Sequence, residues 1–399
     1  MTKHIADAYI VAATRSPVGK APRGALRHMR PDDLLAQVLR AAVAQCPGLV
    51  LSDIDDVVVG CAMPEGEQGM NVARMGALLA GFPHSVSGVT INRFCASGLQ
   101  AVADAAARIR LGEAEVMIAA GTESMSMVPM GGNKPSFSPE IFTRDQHLAM
   151  AYGMGITAEC VAERWQVSRE DQDVYAAESH RRAIAARDSG VFDAEISPCM
   201  VTQRIPDLQA RDIRVQTQQF KNDEGPRSDT SLAVLCKLRP AFSQTGSVTA
   251  GNSSQMSDGA GAVVLMSESA MKRYGLQPLG RFLGFAVAGV APEVMGIGPV
   301  EAIPKVLKQV GLTQQALEWI ELNEAFAAQT LAVIRQLDLD PNIVNPVGGA
   351  IALGHPLGAT GAIRVATLLH GMRQRQLKYG MVTMCIGTGM GAAGVFERL

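Results

Sequence analysis

One cysteine stands where a protein chain can make a nucleophile. Cys95 follows the apolar run Val-Thr-Ile-Asn at residues 89–92 and directly precedes a helix that the apolar spacing predicts from Ala96. A thiol at a helix N-terminus faces unpaired N–H groups and the positive end of the helix dipole, which favour the nucleophilic thiolate. The alternative is a buried cysteine that serves only in packing.

One histidine lies in a glycine-rich segment that could bring backbone close to a ligand. His355 is the single histidine of residues 348–361, a stretch that holds five glycines within fourteen residues. Glycine lets the backbone approach a ligand closely, and Pro356 restricts the backbone of the histidine. The alternative is a core or surface histidine, which describes the other six histidines of the chain well.

A second cysteine closes an apolar strand near the C-terminus. Cys385 is followed by Ile-Gly-Thr-Gly-Met-Gly, so Gly389, Gly391 and Gly394 spell a formal G-x-G-x-x-G. A dinucleotide site needs a helix, a further strand and an acidic residue about 20 residues later, and too little chain remains. These glycines are better interpreted as backbone N–H donors to a developing oxyanion.

Asn323 and Glu324 end the predicted strand Trp-Ile-Glu-Leu at residues 319–322. Polar side chains at the carboxyl end of a parallel strand are where α/β proteins place ligand contacts. A capping or loop role is the alternative, and the sequence alone does not decide between the two.

The elements that must position these residues repeat with an offset of 263. Residues 57–62 align with 320–325, and 97–98 align with 360–361, where each pair opens a helical apolar pattern. Short apolar runs separated by helices predict parallel strands joined by right-handed crossovers, in an α/β fold built by duplication. A chance likeness between two α/β segments is the alternative.

A stretch of different character separates the two halves. We predict an N-terminal half over 1–121, an inserted domain over 122–248 and a C-terminal half over 249–399. Cations are frequent in residues 198–240 of the insertion, which indicates either a solvated surface or recognition of a phosphorylated ligand.

Composition excludes several classes of protein. Apolar residues make up 47% of the 399 and charged residues 19%, enough for a large core. The net charge of −2 argues against a nucleic-acid binder, and no apolar run is long enough to span a membrane. The seven scattered cysteines form no C-x-x-C pair, so neither a disulfide framework nor a zinc site is expected, and a reducing, cytoplasmic compartment fits.

The motifs around these residues strongly resemble those of the thiolases, which make or break a carbon–carbon bond next to a thioester carbonyl. The matching stretches occur in family order: Asn92-Arg-Phe-Cys-Ala-Ser-Gly-Leu-Gln, Gly121-Thr-Glu-Ser-Met-Ser, Val248-Thr-Ala-Gly-Asn-Ser-Ser-Gln, Asn323-Glu-Ala-Phe, Gly348 to Gly361 and Cys385-Ile-Gly-Thr-Gly-Met-Gly. The resemblance implies a duplicated fold with layers α-β-α-β-α and an inserted loop domain that covers the active site and grips coenzyme A.

The resemblance implies a role for each chemical residue. Cys95 attacks the keto carbon of a 3-ketoacyl-CoA and carries the acyl group, while His355 takes the proton of the thiol. Cys385 protonates the departing acetyl-CoA carbanion. Asn323, through a water, and His355 stabilise the enolate oxygen, and the N–H groups of Cys95 and Gly387 stabilise the tetrahedral oxyanion.

The resemblance also implies a set of binding residues. Arg227 and Ser254 match CoA-contacting positions, and Met154, Met295 and Phe326 match positions near the acyl pocket, although these three could simply be core. Coenzyme A is the co-substrate, and no metal, nicotinamide or flavin is called for. A homodimer or homotetramer is expected.

Two departures from the acetoacetyl-specific pattern favour the degradative, broad-chain-length 3-ketoacyl-CoA thiolases and hence fatty-acid β-oxidation. Gly153 stands where those enzymes usually carry histidine, and Asn345-Pro-Val-Gly-Gly replaces Asn-x-Asn-Gly-Gly. An acetyl-CoA C-acetyltransferase is the alternative. A decarboxylating ketoacyl synthase would need histidine or asparagine where Cys385 stands, and a non-catalytic acyl-CoA carrier would tolerate loss of the cysteines, which are both present.

Overall fold

The computed structural model describes residues 5–399. The strands of this part of the chain are β1 (Ala8–Arg15), β2 (Gly19–Lys20), β3 (Asp56–Gly60), β4 (Ser87–Ile91), β5 (Val116–Ser124), β6 (Cys199–Asp207), β7 (Asp212–Phe220), β8 (Ser257–Met266), β9 (Gly280–Gly289), β10 (Trp319–Leu322), β11 (Tyr379–Ile386) and β12 (Met390–Arg398).

The helices are α1 (Pro31–Ala44), α2 (Val72–Leu79), α3 (Ser97–Arg110), α4 (Asp145–Leu148), α5 (Met154–Arg164), α6 (Arg169–Asp188), α7 (Leu232–Leu235), α8 (Glu268–Arg273), α9 (Gly298–Val310), α10 (Ala327–Leu337), α11 (Ala350–Leu353) and α12 (Leu357–Arg375). Within the described residues, no helix combines the length and the apolar character that crossing a bilayer requires.

The main sheet has the strand order β10-β11-β12-β9-β1-β8-β5-β3-β4, with β2 paired to β8. The two sides of this order mirror each other about the contact between β9 and β1, as the duplication predicts. The prediction of parallel strands is correct for only part of the sheet, because β8 runs antiparallel to β1 and β5, and β12 runs antiparallel to β9 and β11. Among the strands of residues 5–399, the parallel pairs are β3–β4, β3–β5 and β10–β11.

The layers follow from which faces the helices cover. Helices α3 and α12 pack on each other and on strands of both halves, and they form the central layer. Helices α1 and α2 cover the outer face of the first half, and α9 and α10 cover that of the second. The chain therefore has the expected α-β-α-β-α arrangement.

Two glycines let the central helices touch along their backbones. A Cβ on Gly98 would lie 2.7 Å from the backbone nitrogen of Ala362, and a Cβ on Gly361 would overlap the backbone of Leu99. Close approach of this kind needs residues without side chains. The repeated Ser/Thr-Gly at the start of each helix is thus explained by packing between the two halves.

Strand pairing changes one expected boundary. The predicted C-terminal half begins at 249, yet β8 pairs with β1 and β5 of the first half. The antiparallel ladder places residues 257–266 in the first half, with the insertion interrupting it between β5 and β8. The hairpin β6–β7 forms its own two-stranded sheet within that insertion.

Candidate active site

The Cys95 turn is held by its neighbours in an uncommon backbone conformation. Cys95 lies in a short 3-10 turn, Phe94–Ala96, directly before α3. Phe94 has a φ of +45°, a left-handed value that costs free energy for a non-glycine residue. Asn92 Oδ1 accepts the Phe94 N–H at 2.7 Å, and the Ser97 hydroxyl accepts the Arg93 N–H at 2.8 Å. These bonds hold the sulfur in place.

The thiol of Cys95 is harder to ionise than its place at a helix start predicts. Burial raises its pKa to about 11, although N–H groups of Gly387 and of Cys95 itself act in the opposite direction. The N–H groups thus act in the direction that the sequence predicts, toward the thiolate, but burial acts against them. Desolvation outweighs the N–H donors, so a base must remove the proton.

His355 has the environment of such a base. Its Nε2 lies 3.3 Å from Asn323 Nδ2, and its Nδ1 lies 2.7 Å from Thr360 Oγ1. An amide N–H donated to Nε2 assigns the ring proton to Nδ1, which donates it to the threonine. Burial, aided by the positive charge of Arg364, lowers the pKa of His355 to about 3. The ring is thus neutral at physiological pH.

Asn323 lies between this histidine and the strand that carries the second cysteine. It follows β10, and its N–H donates to the carbonyl of Thr383 in β11 at 2.9 Å. Its side-chain Oδ1 is buried and has no hydrogen-bond partner among residues 5–399. An unsatisfied buried acceptor is costly, which is typical of a functional site rather than of a structural one.

Cys385 and Gly387 end β11 beside Cys95. The turn Phe94–Ala96, which carries Cys95, packs against β11, so the two sulfurs lie in the same region. Burial raises the pKa of Cys385 far above its usual value, and negative charge on Cys95 raises it further. A Cβ built on Gly387 would lie 3.5 Å from the Met154 sulfur and 3.9 Å from the Phe94 ring. Gly387 thus faces the site with its N–H toward Cys95.

An apolar wall adjoins the second thiol. Met154, Met295 and Phe326, the three expected acyl-pocket residues, pack in one cluster with Cys385. Phe242, which the sequence did not single out, stacks edge-on against Phe326 at 6.0 Å between ring centroids. The insertion contributes Met154 and Phe242 to this wall, so it borders the site.

The two expected coenzyme A residues lie further out. The Ser254 N–H donates to the carbonyl of Ala325, two residues after Asn323, at 2.9 Å. Arg227 is exposed and pairs with Asp229 at 3.1 Å. Within the described residues no hydrogen bond joins Arg227 to the two cysteines, so it lies outside the central cluster.

Two buried carboxylates, Glu324 and Glu123, lie near these residues; the sequence pattern placed Glu324 at the strand end with Asn323 but did not single out Glu123. Glu324 accepts hydrogen bonds from Tyr175 at 2.9 Å, from Ser179 at 2.7 Å and from Asn345 at 3.0 Å. Glu123 accepts N–H groups from both halves of the fold. Thr360 was also missed, although its place five residues after His355 is a usable signal.

In residues 5–399 no group of three His, Cys, Asp or Glu side chains is placed to hold a metal ion.

The chain matches known protein families over nearly its whole length. Residues 8–269 match the model of the thiolase N-terminal domain, and residues 276–398 match that of the thiolase C-terminal domain. The first match ends after β8, in agreement with the strand pairing. The chain is 50% identical over 393 residues to the 3-ketoacyl-CoA thiolase of Bacillus subtilis strain 168, covering 98% of this chain and 99% of the relative.

A plant relative and two solved structures show the same likeness. The peroxisomal 3-ketoacyl-CoA thiolase 2 of Arabidopsis thaliana is 48% identical, over 98% of this chain and 84% of the relative. The crystal structure of the Bacillus anthracis acetyl-CoA acetyltransferase superimposes with a TM-score of 0.89 at 40% identity over 100% of both chains. That of human mitochondrial 3-ketoacyl-CoA thiolase gives 0.88 at 38% identity over 99% of both.

Proposed function

Because the chain belongs to the thiolase family, we propose that it cleaves a 3-ketoacyl-CoA with coenzyme A into acetyl-CoA and a shortened acyl-CoA. The observation that carries the proposal is a site shared by the buried thiol of Cys385 and the partly buried thiol of Cys95, which lies within reach of the N–H groups of Gly387 and of Cys95 itself. One thiol can then carry an acyl group while the other moves a proton.

The first half-reaction begins at Cys95. His355 accepts the thiol proton, and the sulfur attacks the keto carbon of the substrate. The oxyanion that develops there is stabilised by the N–H groups of Cys95 and Gly387, as such donors do in acyl transfer. The bond between the α-carbon and the keto carbon then breaks, which leaves the acyl group on Cys95 and an acetyl-CoA enolate.

The enolate leaves as acetyl-CoA after Cys385 donates its proton to the α-carbon. Asn323, acting through a water, and His355 stabilise the enolate oxygen. The Oδ1 of Asn323, which has no partner among residues 5–399, can accept one O–H of that water while the other O–H is donated to the enolate. Coenzyme A, deprotonated at its thiol, then attacks acyl-Cys95 and releases the shortened acyl-CoA. The proton that it loses restores the Cys385 thiol. Cys95 leaves as a thiolate and takes back the proton that His355 holds, so the cycle closes without another reactant.

Chain length separates two candidate activities. Relatives named 3-ketoacyl-CoA thiolase match at 45–50% identity, and a solved acetyl-CoA acetyltransferase matches at 40%. A Cβ on Gly153 would meet no heavy atom within 4 Å, so the glycine leaves room beside Met154. This space favours acyl chains longer than acetoacetyl and a place in fatty-acid β-oxidation. The acetyltransferase remains the second candidate because of the structural match.

The insertion over residues 122–248 is proposed as the coenzyme A-binding loop domain. Arg227 would contact the phosphates, which its exposure allows, and Ser254 would contact the pantetheine near the Asn323 loop. The free state of all seven cysteines supports the proposed cytoplasmic location.

A homodimer is proposed from one edge of the main sheet. Strand β4 ends the strand order and pairs only with β3, and Val89 in it is 42% exposed. An uncovered edge strand with apolar side chains is a template for pairing with another chain. Light scattering on the purified protein tests this: we expect a dimer or a tetramer, and a monomer would contradict it.

The decisive experiment is a CoA-dependent cleavage assay over 3-ketoacyl-CoAs of increasing chain length. We expect turnover to persist beyond acetoacetyl-CoA, and the peptide spanning residues 92–99 to gain the mass of the acyl group when coenzyme A is withheld. Turnover of acetoacetyl-CoA alone would select the second candidate. An unmodified peptide would contradict the acyl-Cys95 intermediate.

A further inference from the structure

A buried carboxylate that the proposed reaction does not use connects the two halves of the active site. Glu123, near the end of β5, is fully buried. Its Oε2 accepts the N–H of Ala62 at 2.7 Å and the N–H of Gly358 at 2.9 Å. Its Oε1 accepts the N–H of Met63 at 3.2 Å and the side-chain amide of Gln68. We call these five residues the Glu123 network.

One arm of the network leads to the nucleophile. Ala62, whose N–H is held by Glu123, offers its carbonyl to Asn92 Nδ2 at 3.0 Å. The same asparagine side chain accepts the N–H of Phe94 at 2.7 Å. The Glu123 carboxylate is therefore linked through two residues to the turn that holds Cys95.

The other arm leads to the base. Gly358 is in the first turn of α12, and its N–H is one of the helix N-terminal groups that need an acceptor outside the helix. Two residues later, Thr360 Oγ1 lies 2.7 Å from His355 Nδ1. The single oxygen Oε2 of Glu123 thus anchors the first turn of the helix that orients the histidine.

The packing around this oxygen leaves no room for adjustment. A Cβ on Gly358 would lie 2.6 Å from the Ala62 nitrogen and 2.8 Å from Glu123 Oε2. A glycine is therefore required where the two arms meet. Burial raises the pKa of Glu123 to about 6, although the four hydrogen bonds that it accepts act to lower the pKa. The carboxylate is therefore mainly ionised at neutral pH.

We propose that Glu123 is a positioning residue of the acyl-transfer reaction, which sets the Cys95 turn and the His355 helix relative to each other through its shared oxygen Oε2. The expected loss of turnover rests on the proposed function, whereas the link between the Cys95 turn and the His355 helix does not. Misplacing catalytic groups by about 1 Å can reduce turnover by about 100-fold without loss of binding.

The test compares variants that separate position from charge. Glu123→Gln keeps an oxygen that can occupy the Oε2 position, whereas Glu123→Ala removes both arms. Gly358→Ala forces the arms apart while Glu123 stays. Asn92→Ala breaks only the Cys95 arm, and because Asn92 is exposed, we expect this variant to fold. The exposed Glu113→Gln, before the same strand, is the matched control.

We expect kcat to fall about 100-fold in Glu123→Ala and Gly358→Ala, about tenfold in Asn92→Ala, and less than tenfold in Glu123→Gln, with the KM for coenzyme A within twofold throughout. In Glu123→Gln, the pH profile of Cys95 alkylation by iodoacetamide should shift to lower pH, because the removal of a nearby negative charge lowers the pKa of the thiol. If kcat fell equally in Glu123→Gln and Glu123→Ala, the negative charge of Glu123 would matter rather than its hydrogen bonds, and the positioning role would be overturned.

Two further outcomes would overturn the proposal. One is a Glu123→Ala or Asn92→Ala protein with kcat within threefold of the parent chain. The other, if Glu123→Ala does not fold, is unchanged turnover in both Gly358→Ala and Asn92→Ala. Absence of cleavage by the parent chain would instead contradict the proposed function. The alkylation rates of the variants would then still test the link between Glu123 and Cys95.

Discussion

The two halves of the fold place different chemistry at equivalent positions. Cys95 opens the central helix of the first half, and Gly358, 263 residues later, occupies the first turn of α12 in the second. The helix start that presents a sulfur in one half presents a backbone N–H to Glu123 in the other. The duplication thus repeats the scaffold, while the side chains at its loops have diverged.

The second half supplies the other reactive groups. Asn323 follows β10 at the position that corresponds to Gly60, the last residue of β3, and His355 stands where the first half has Asn92. Both first-half counterparts serve structure: Gly60 packs against the start of α3, and Asn92 holds the Cys95 turn. In the proposed mechanism, one half therefore supplies the nucleophile, and the other supplies the groups that move protons and hold negative charge.

The largest effect should come from the first half. Cys95→Ser should reduce both ketoacyl-CoA cleavage and the exchange of acetyl groups between acetyl-CoA and labelled coenzyme A by at least about 1,000-fold, because a hydroxyl is a far weaker nucleophile than a thiolate. Stopped-flow cleavage and label exchange measure the two rates. The half-buried Cys160→Ser, away from the site, is the control. Surviving exchange in Cys95→Ser would assign the acyl group elsewhere.

The second thiol should separate those two rates. Cys385→Ser should lower cleavage by about 100- to 10,000-fold, the range of general acid–base catalysis, because the departing enolate loses its proton donor. Label exchange should stay within tenfold, since it needs only acylation and deacylation of Cys95. Equal loss of both reactions would mean that the two halves do not divide the chemistry as proposed.

Asn323→Ala tests the charge-holding role of the second half. Removal of one oxyanion donor costs about 3 kcal/mol, so kcat for cleavage should fall about 150-fold while the KM for coenzyme A hardly changes. Steady-state kinetics give both values. Wild-type turnover would exclude the role, and a rise in KM alone would show that the amide binds substrate instead.

The pH dependence of Cys95 alkylation sharpens the contrast between helix dipole and burial. With a pKa of about 11, the thiolate fraction should rise about tenfold per pH unit between pH 8 and 10, without levelling. In urea the same peptide should level near pH 9, since the unfolded thiol is solvated. Mass spectrometry of the residue 92–99 peptide measures both rates. A plateau near pH 7 in the folded protein would show that stabilisation of the thiolate by the helix N-terminus outweighs its desolvation.

The smallest effect is expected in the insertion. Arg227→Ala removes an exposed cation, so the KM for coenzyme A should rise about fivefold while kcat is unchanged, since surface ion pairs contribute about 1 kcal/mol or less. Arg211→Ala, at the tip of the β6–β7 hairpin, should change neither constant. If both variants raised the KM for coenzyme A equally, the cations would act through general electrostatic attraction rather than through a contact between Arg227 and a phosphate.

The sequence predicts much of the fold because duplication and helical spacing are local signals. The starts of α3 and α12 and the strand before Asn323 follow from such signals, whereas the α-β-α-β-α layering is implied by the resemblance to the thiolases. The roles assigned to Cys95, His355, Cys385 and Asn323 stay predictions, although the structure brings these residues into one region.

What the sequence does not predict depends on contacts between distant segments. The antiparallel placement of β8 requires knowing that a segment after the insertion returns to β1 and β5. The raised pKa of Cys95 depends on how deeply the assembled layers bury it, which the helix start does not reveal. Glu123 looks like an ordinary polar residue in a motif. Only the fold shows that its hydrogen-bond donors lie between 55 and 235 positions away along the chain, from Gln68 to Gly358.

The backbone contact between α3 and α12 has a consequence for how the molecule assembles. Each half needs the other to cover its inner helix, so neither can complete a stable interior alone. Fragments cut between residues 269 and 276 should therefore be insoluble when expressed singly. Co-expressed, they should recover activity by complementation.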